Sequence, residues 1–114
     1  MLIKKEDLTV NHEFNNDGEK KLYLYNLAEF ERKNPKLRTF ALAKLLPGEK
    51  VEFHIHNEES ESYYIISGKG SYNDNGDIVE VTSGTVTFTP SGQGHGIENI
   101  GDDVLEFIAL IIRD

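Results

Sequence analysis

The chain has 114 residues, no cysteine, 20 acidic against 12 basic side chains and a formal net charge of -8. That length predicts one domain with a single core, and the acidic balance argues against nucleic acid or an anionic membrane surface as a partner. Without cysteine there is no disulfide framework and no thiolate ligand or nucleophile. The opening stretch MLIKKEDLTV lacks the apolar run of a signal peptide, and nothing in the chain approaches the roughly 20 apolar residues of a membrane span. The expectation is a soluble, cytoplasmic protein.

In chain order, residues 1–18 are polar and end in Asn15-Asn16-Asp17-Gly18, which reads as a weakly ordered arm or edge strand closed by a turn. Lys21 to Asn26 alternates polar and apolar residues, the pattern of a strand. Leu27 to Lys33 is the one helical piece, about two turns, stopped at Asn34-Pro35. Arg38 to Leu45 is a mostly apolar strand ending at the Pro47-Gly48 turn. Beyond it the punctuation is regular. Strands are expected over Val51–His56, Glu61–Ser67, Lys69–Tyr72, Ile78–Val81, Thr85–Thr89, His95–Asn99 and Val104–Ile112, with Gly-, Asn- and Pro-rich turns between them. Short strands with frequent turns are the mark of an all-β sandwich or barrel. Residues 1–36 are assigned to the arm, edge strand and short helix, and residues 37–114 to the barrel, within one domain overall.

Chemistry concentrates between Gly48 and Gly68. His54 and His56 are one residue apart on a predicted strand, so strand alternation points both imidazoles to one face. The polar segment from Asn57 to Ser60 turns the chain, and a hairpin would return Glu61 beside them. His95, after the Pro90-Ser91-Gly92-Gln93-Gly94 turn, offers a third imidazole. Strict alternation puts Glu52, His54 and His56 on the pocket side of the strand and Val51, Phe53 and Ile55 on its back. By the same rule Tyr63 and Ile65 share the face of Glu61, and Ile97 and Asn99 that of His95. Tyr63 and Glu52 are therefore the candidate catalytic side chains, although an aromatic strand residue more often packs and a glutamate at a strand's end is more often solvated.

These residues match the two motifs of the cupins. The pattern G-x5-H-x-H-x4-E-x6-G is met at Gly48, His54, His56, Glu61 and Gly68, and G-x5-P-x-G-x2-H-x3-N at Gly84, Pro90, Gly92, His95 and Asn99. All ten fixed positions are filled, over about half of the chain, so the sequence resembles a small single-domain cupin. The resemblance implies a jelly-roll β-barrel that binds one divalent transition metal (Mn, Fe, Ni, Co, Cu or Zn) through His54, His56, Glu61 and His95. Imidazole with one carboxylate suits those ions better than Ca. It also implies a homodimer formed back to back, with the apolar face of Val51, Phe53 and Ile55 covered by a second subunit or by the N-terminal strands.

For function the expectation is a metal-dependent enzyme on a small oxygenated substrate: an isomerase, decarboxylase or dioxygenase. The alternative is a non-catalytic small-molecule-binding or sensor protein, because one barrel carries many chemistries. Oxalate-degrading cupins carry an arginine three residues before the first ligand histidine. Here that position is Val51, and the His54–Glu61 stretch has no Lys or Arg, which points away from oxalate and from phosphosugars.

Overall fold

The computed structural model describes residues 2–14, 21–26 and 34–114. Ten strands run through them: β1 (Thr9–Phe14), β2 (Lys21–Asn26), β3 (Leu37–Leu45), β4 (Lys50–Ile55), β5 (Glu59–Ser67), β6 (Lys69–Asp74), β7 (Asp77–Thr82), β8 (Val86–Thr89), β9 (Gly94–Asn99) and β10 (Leu105–Arg113). A single 3-10 turn covers Lys5–Asp7. The helix expected over Leu27–Lys33 lies outside the described residues. Among the described residues no helix is long and apolar enough to cross a membrane.

The strands form two antiparallel sheets, one ordered β1-β2-β3-β10-β5-β8 and the other β4-β9-β6-β7. The first N-terminal segment is an edge strand, with β1 paired to β2 and β2 to β3. One correction concerns the connection after His56. β4 pairs with β9 in the smaller sheet, while β5 pairs with β10 and β8 in the larger. The expected β4–β5 hairpin does not form, because both edges of β5 are taken, by β10 and by β8. The chain instead turns a corner between sheets, so Glu61 reaches the histidines from the opposite wall. The Asn75-Gly76 hairpin does form, with both residues at positive φ (51° and 107°), the two-residue turn that matches the twist of its strands.

The core lies between the sheets. Leu45, Ile65, Leu105 and Phe107 are essentially inaccessible, with Tyr63, Tyr72, Val81 and Ile97 packed against them. Burial of each large apolar side chain contributes about 1.5–3 kcal/mol. Gly68 is required here: a Cβ on it would come within 2.7 Å of the Val104 carbonyl oxygen.

Strict alternation fails in β4, and the failure has a visible cause. Val51 pairs with Ile97 and His54 with His95, so Glu52 and Phe53 together stand opposite the single residue Gly96. This is a β-bulge, which inserts one residue and shifts the phase of the strand. Val51 therefore turns inward and packs on the core, while Glu52 and Phe53 turn out to solvent. Gly96 makes room: a Cβ there would lie 2.9 Å from the Phe53 nitrogen and 3.0 Å from the Val51 carbonyl oxygen. The back face expected from Val51, Phe53 and Ile55 thus reduces to Phe53 and Ile55.

Candidate metal centre

The four motif side chains arrive from three pieces of backbone: β4 and its end, β5 and β9. His54 on β4 and His95 on β9 are direct cross-strand partners. His56 lies just past the end of β4 and is held by two backbone bonds to the Pro90–Gly94 turn: its N–H donates to the Gln93 carbonyl (3.0 Å), and its own carbonyl accepts from Gly92 N–H (2.7 Å). Glu61 projects from β5 across the barrel. In register beside it are Thr89 and Ile111.

The donor atoms converge. His56 Nε2 is 3.0 Å from His54 Nε2, 3.1 Å from His95 Nε2 and 3.0 Å from Glu61 Oε1. Glu61 Oε1 is 2.7 Å from His95 Nε2 and 3.8 Å from His54 Nε2. One ligand atom from each of the four residues lies within 4.8 Å of the others, and His56, Glu61 and His95 are buried.

The far side of each imidazole is anchored. His54 Nδ1 donates to the Glu52 carbonyl oxygen at 2.8 Å, and His56 Nδ1 donates to Glu59 Oε2 at 2.6 Å. His95 Nδ1 lies 2.7 Å from the Tyr72 hydroxyl, which sits 3.2 Å from Thr89 Oγ1. With Tyr72 donating to Thr89 and accepting from His95, all three rings carry their proton on Nδ1 and aim the Nε2 lone pair inward. Three lone pairs and a carboxylate facing one another, with His56 Nε2 3.0–3.1 Å from each of the others, repel unless a cation or proton stands between them. Two ligand atoms each about 2.1 Å from one ion and at right angles are about 3.0 Å apart, the spacing seen here. The donor set therefore fits a divalent transition metal, which carboxylate and imidazole together favour over an all-oxygen ion.

Electrostatics agree with that reading. The pKa of His54 is raised, chiefly by the Glu61 side chain, while burial opposes the rise. Glu61 is buried, which alone would raise its pKa, yet the surrounding imidazoles of His54, His95 and His56 bring it down to about 2. A proton is drawn to the spot where the four ligands meet, and a cation of higher charge is drawn there more strongly.

The centre opens into a cavity of about 340 Å³ lined by His54, His56 and Glu61 together with Val51, Tyr63 and Phe107. Tyr63 is a wall of this cavity. Its ring stacks on His95 with centroids 4.8 Å apart and tilts on Phe107 at 4.5 Å, and burial with the adjacent Glu61 charge raises the pKa of its hydroxyl well above the usual value. Glu52 does not take the pocket face that alternation assigned it: the bulge turns its side chain away from the cavity, into contact with Lys50 Nζ at 3.3 Å and onto a separate outer groove. Its backbone carbonyl, through His54, is what serves the centre. Two contributors escaped the reading of the sequence. Glu59 anchors His56, and Arg38 reaches the cavity wall from β3. Their only sequence signal was charge near the start of a strand.

The fold is thus a two-sheet β-barrel that gathers three imidazoles and one carboxylate close enough to hold one metal ion. A cupin-domain family model matches residues 41–111, well over half of the chain, and the chain belongs to the cupin family. Over 113 residues it is 41% identical to the oxalate-binding protein of Thermotoga maritima, covering 98% of this chain and 93% of that one. It is 31% identical over 99 residues to the oxalate decarboxylase of Bacillus subtilis, covering 82% of this chain but only 25% of that longer protein. A crystal structure of a predicted oxalate decarboxylase from Thermotoga maritima superposes with a TM-score of 0.91 at 39% identity, over 100% of both chains.

Proposed function

We propose that the chain binds one divalent transition-metal ion through His54, His56, Glu61 and His95 and uses it to hold a small carboxylate-bearing molecule of the oxalate class. The observation that carries this is the meeting of three inward-facing Nε2 atoms and Glu61 Oε1 at about 3 Å beside the cavity. When bound, a divalent ion with one carboxylate ligand leaves a net positive charge of about +1, which attracts anionic oxygen donors within an acidic protein. The cavity is near the lower end of the size range for ligand pockets, which suits a molecule of a few heavy atoms. The name of the 41% identical relative supports the same ligand class, against the expectation drawn from Val51.

A second reading is turnover of that ligand, by decarboxylation. It is favoured by Tyr63, a hydroxyl-bearing side chain on the cavity wall beside Glu61, and by the name of the 31% identical relative. Metal analysis of the wild type beside His54→Ala and His95→Ala tests the site, and calorimetry with oxalate plus an assay for formate and carbon dioxide separates holding from turnover. One metal per wild-type chain, lost in both variants, is the expected result. Metal retained at wild-type stoichiometry in both rejects the site.

We also infer that two copies pair. The support is an apolar outer face on the larger sheet, where Val86, Tyr64, Ile108 and Leu42 form one cross-strand row and Phe88, Ser62, Leu110 and Phe40 the next. Phe53 and Ile55 alone make a smaller patch.

A further inference from the structure

A cationic side chain on the cavity wall remains unused by the metal centre. β3 and β10 pair through Thr39 with Ile111 and then Leu37 with Ile112, so Arg38 is the extra residue of a bulge. In an unbroken strand Arg38 would point away from the face shared by Thr39, Ala41 and Ala43. Bulges at barrel rims re-aim side chains in this way, and Arg38 lines the same cavity as His54, His56 and Glu61.

Its position is held. Arg38 Nη1 donates to Glu59 Oε2 at 2.7 Å, and the same oxygen accepts from His56 Nδ1 at 2.6 Å. Because both bonds end on one atom, the guanidinium is tied within two short hydrogen bonds of a metal-facing imidazole. One of its five N–H donors is used in that bond, and its side chain is 46% exposed. Among the described residues lining the cavity, Arg38 is the one Lys or Arg. Its positive charge is also felt at His54.

We propose that Arg38 is the residue that selects a dicarboxylate: its remaining N–H groups grip the ligand's second carboxylate while the first is held at the metal centre. The proposal rests on the metal-site reading above and adds a recognition group from β3. The chemistry is the planar fork of a guanidinium matched to the two oxygens of a carboxylate, which a lysine point charge does not reproduce. A monocarboxylate such as formate has no second group to offer, so the wild type should prefer oxalate over formate and that preference should depend on Arg38.

The test is calorimetric titration of the metal-loaded full chain with oxalate and, separately, with formate, for the wild type, Arg38→Gln and Arg38→Lys, with metal content measured on the same samples. Losing a charge-assisted bidentate contact weakens oxalate by about ten- to a hundredfold in Arg38→Gln. Formate affinity and metal stoichiometry stay within about twofold, and Arg38→Lys recovers only part of the loss. Unchanged oxalate affinity in Arg38→Gln with metal in place overturns the Arg38 assignment alone. An equal loss of oxalate and formate binding also overturns it, because the defect would then be in the metal centre that Glu59 and His56 support. A wild type that takes up no metal overturns the parent reading and this one with it.

Discussion

Glu61 reaches His95 from the opposite sheet, its Oε1 2.7 Å from the imidazole Nε2. That one contact ties the two walls of the barrel together at the centre. Both of these atoms also face His56 Nε2, at 3.0 and 3.1 Å. Such an arrangement is costly without a cation, so metal binding and barrel stability should be coupled.

The anchors behind the rings should matter nearly as much as the rings. Removing the partner of a ligating imidazole typically costs ten- to a hundredfold in metal affinity. Glu59→Gln, behind His56, and Tyr72→Phe, behind His95, are each expected to weaken the metal by about that factor. Competition against a chelator of known affinity measures it, and wild-type affinity in both would contradict the assignment of the Nδ1 protons.

The pH dependence should differ in sign between metal-free and metal-loaded protein. His54 has a raised pKa in the fold, so its contribution is fully present below about pH 6.5 and fades as pH rises through the raised value. Glu61 is depressed to about 2 in the fold, so its contribution is present above about 4.5 and is lost as pH falls. As far as these two groups decide it, the metal-free protein is most stable between about pH 4.5 and 6.5. Metal requires His54 unprotonated, so the rise in Tm on adding metal should grow between about pH 5 and about pH 8. Thermal melts with and without metal read this directly, and a metal-induced shift independent of pH would count against His54 as a ligand.

Gly96→Ala tests the bulge. The added methyl meets backbone atoms of Val51 and Phe53, which have no side-chain freedom to move aside, so overpacking costs about 1–3 kcal/mol in urea unfolding. Because the bulge sets the phase of His54, metal affinity should fall with it. A stable Gly96→Ala protein with full metal affinity would mean that β4 reaches His54 some other way.

Phe107→Ala removes a fully buried ring that touches Tyr63 and walls the cavity. A loss of about 3–5 kcal/mol is expected, a large part of the stability of a domain this size. Chemical denaturation measures it, and a loss under about 1 kcal/mol would place the core elsewhere.

Pairing of two copies predicts a dimer mass by size exclusion with light scattering. Tyr64→Lys with Val86→Lys, which charge one cross-strand row of the larger sheet's outer face, should shift the mass to that of a monomer without loss of metal. A wild-type monomer sinks the inference.

Much of the architecture was legible because β-structure writes a period-two pattern between turn residues. β2 falls on Lys21–Asn26 as read, and Tyr63, Ile65, Ile97 and Asn99 are all buried on the side their alternation assigned. The four motif residues that the structure brings within reach of one ion were likewise readable, since their identities and spacing are local properties of the chain. Glu52 and Val51 were misplaced by the same alternation rule, because a bulge is fixed by the partner strand: Gly96, more than 40 residues away, makes room for it.

The order and chemistry of its side chains were enough to establish an all-β barrel, its turns and the four side chains that the fold brings within reach of one ion. Only the packed molecule decided which sheet each ligand comes from, which acceptor anchors each imidazole and that Arg38 joins the cavity. Those features depend on pairing between strands remote in sequence. Register and bulges are properties of a pair of strands, and a single strand's pattern carries no record of its partner.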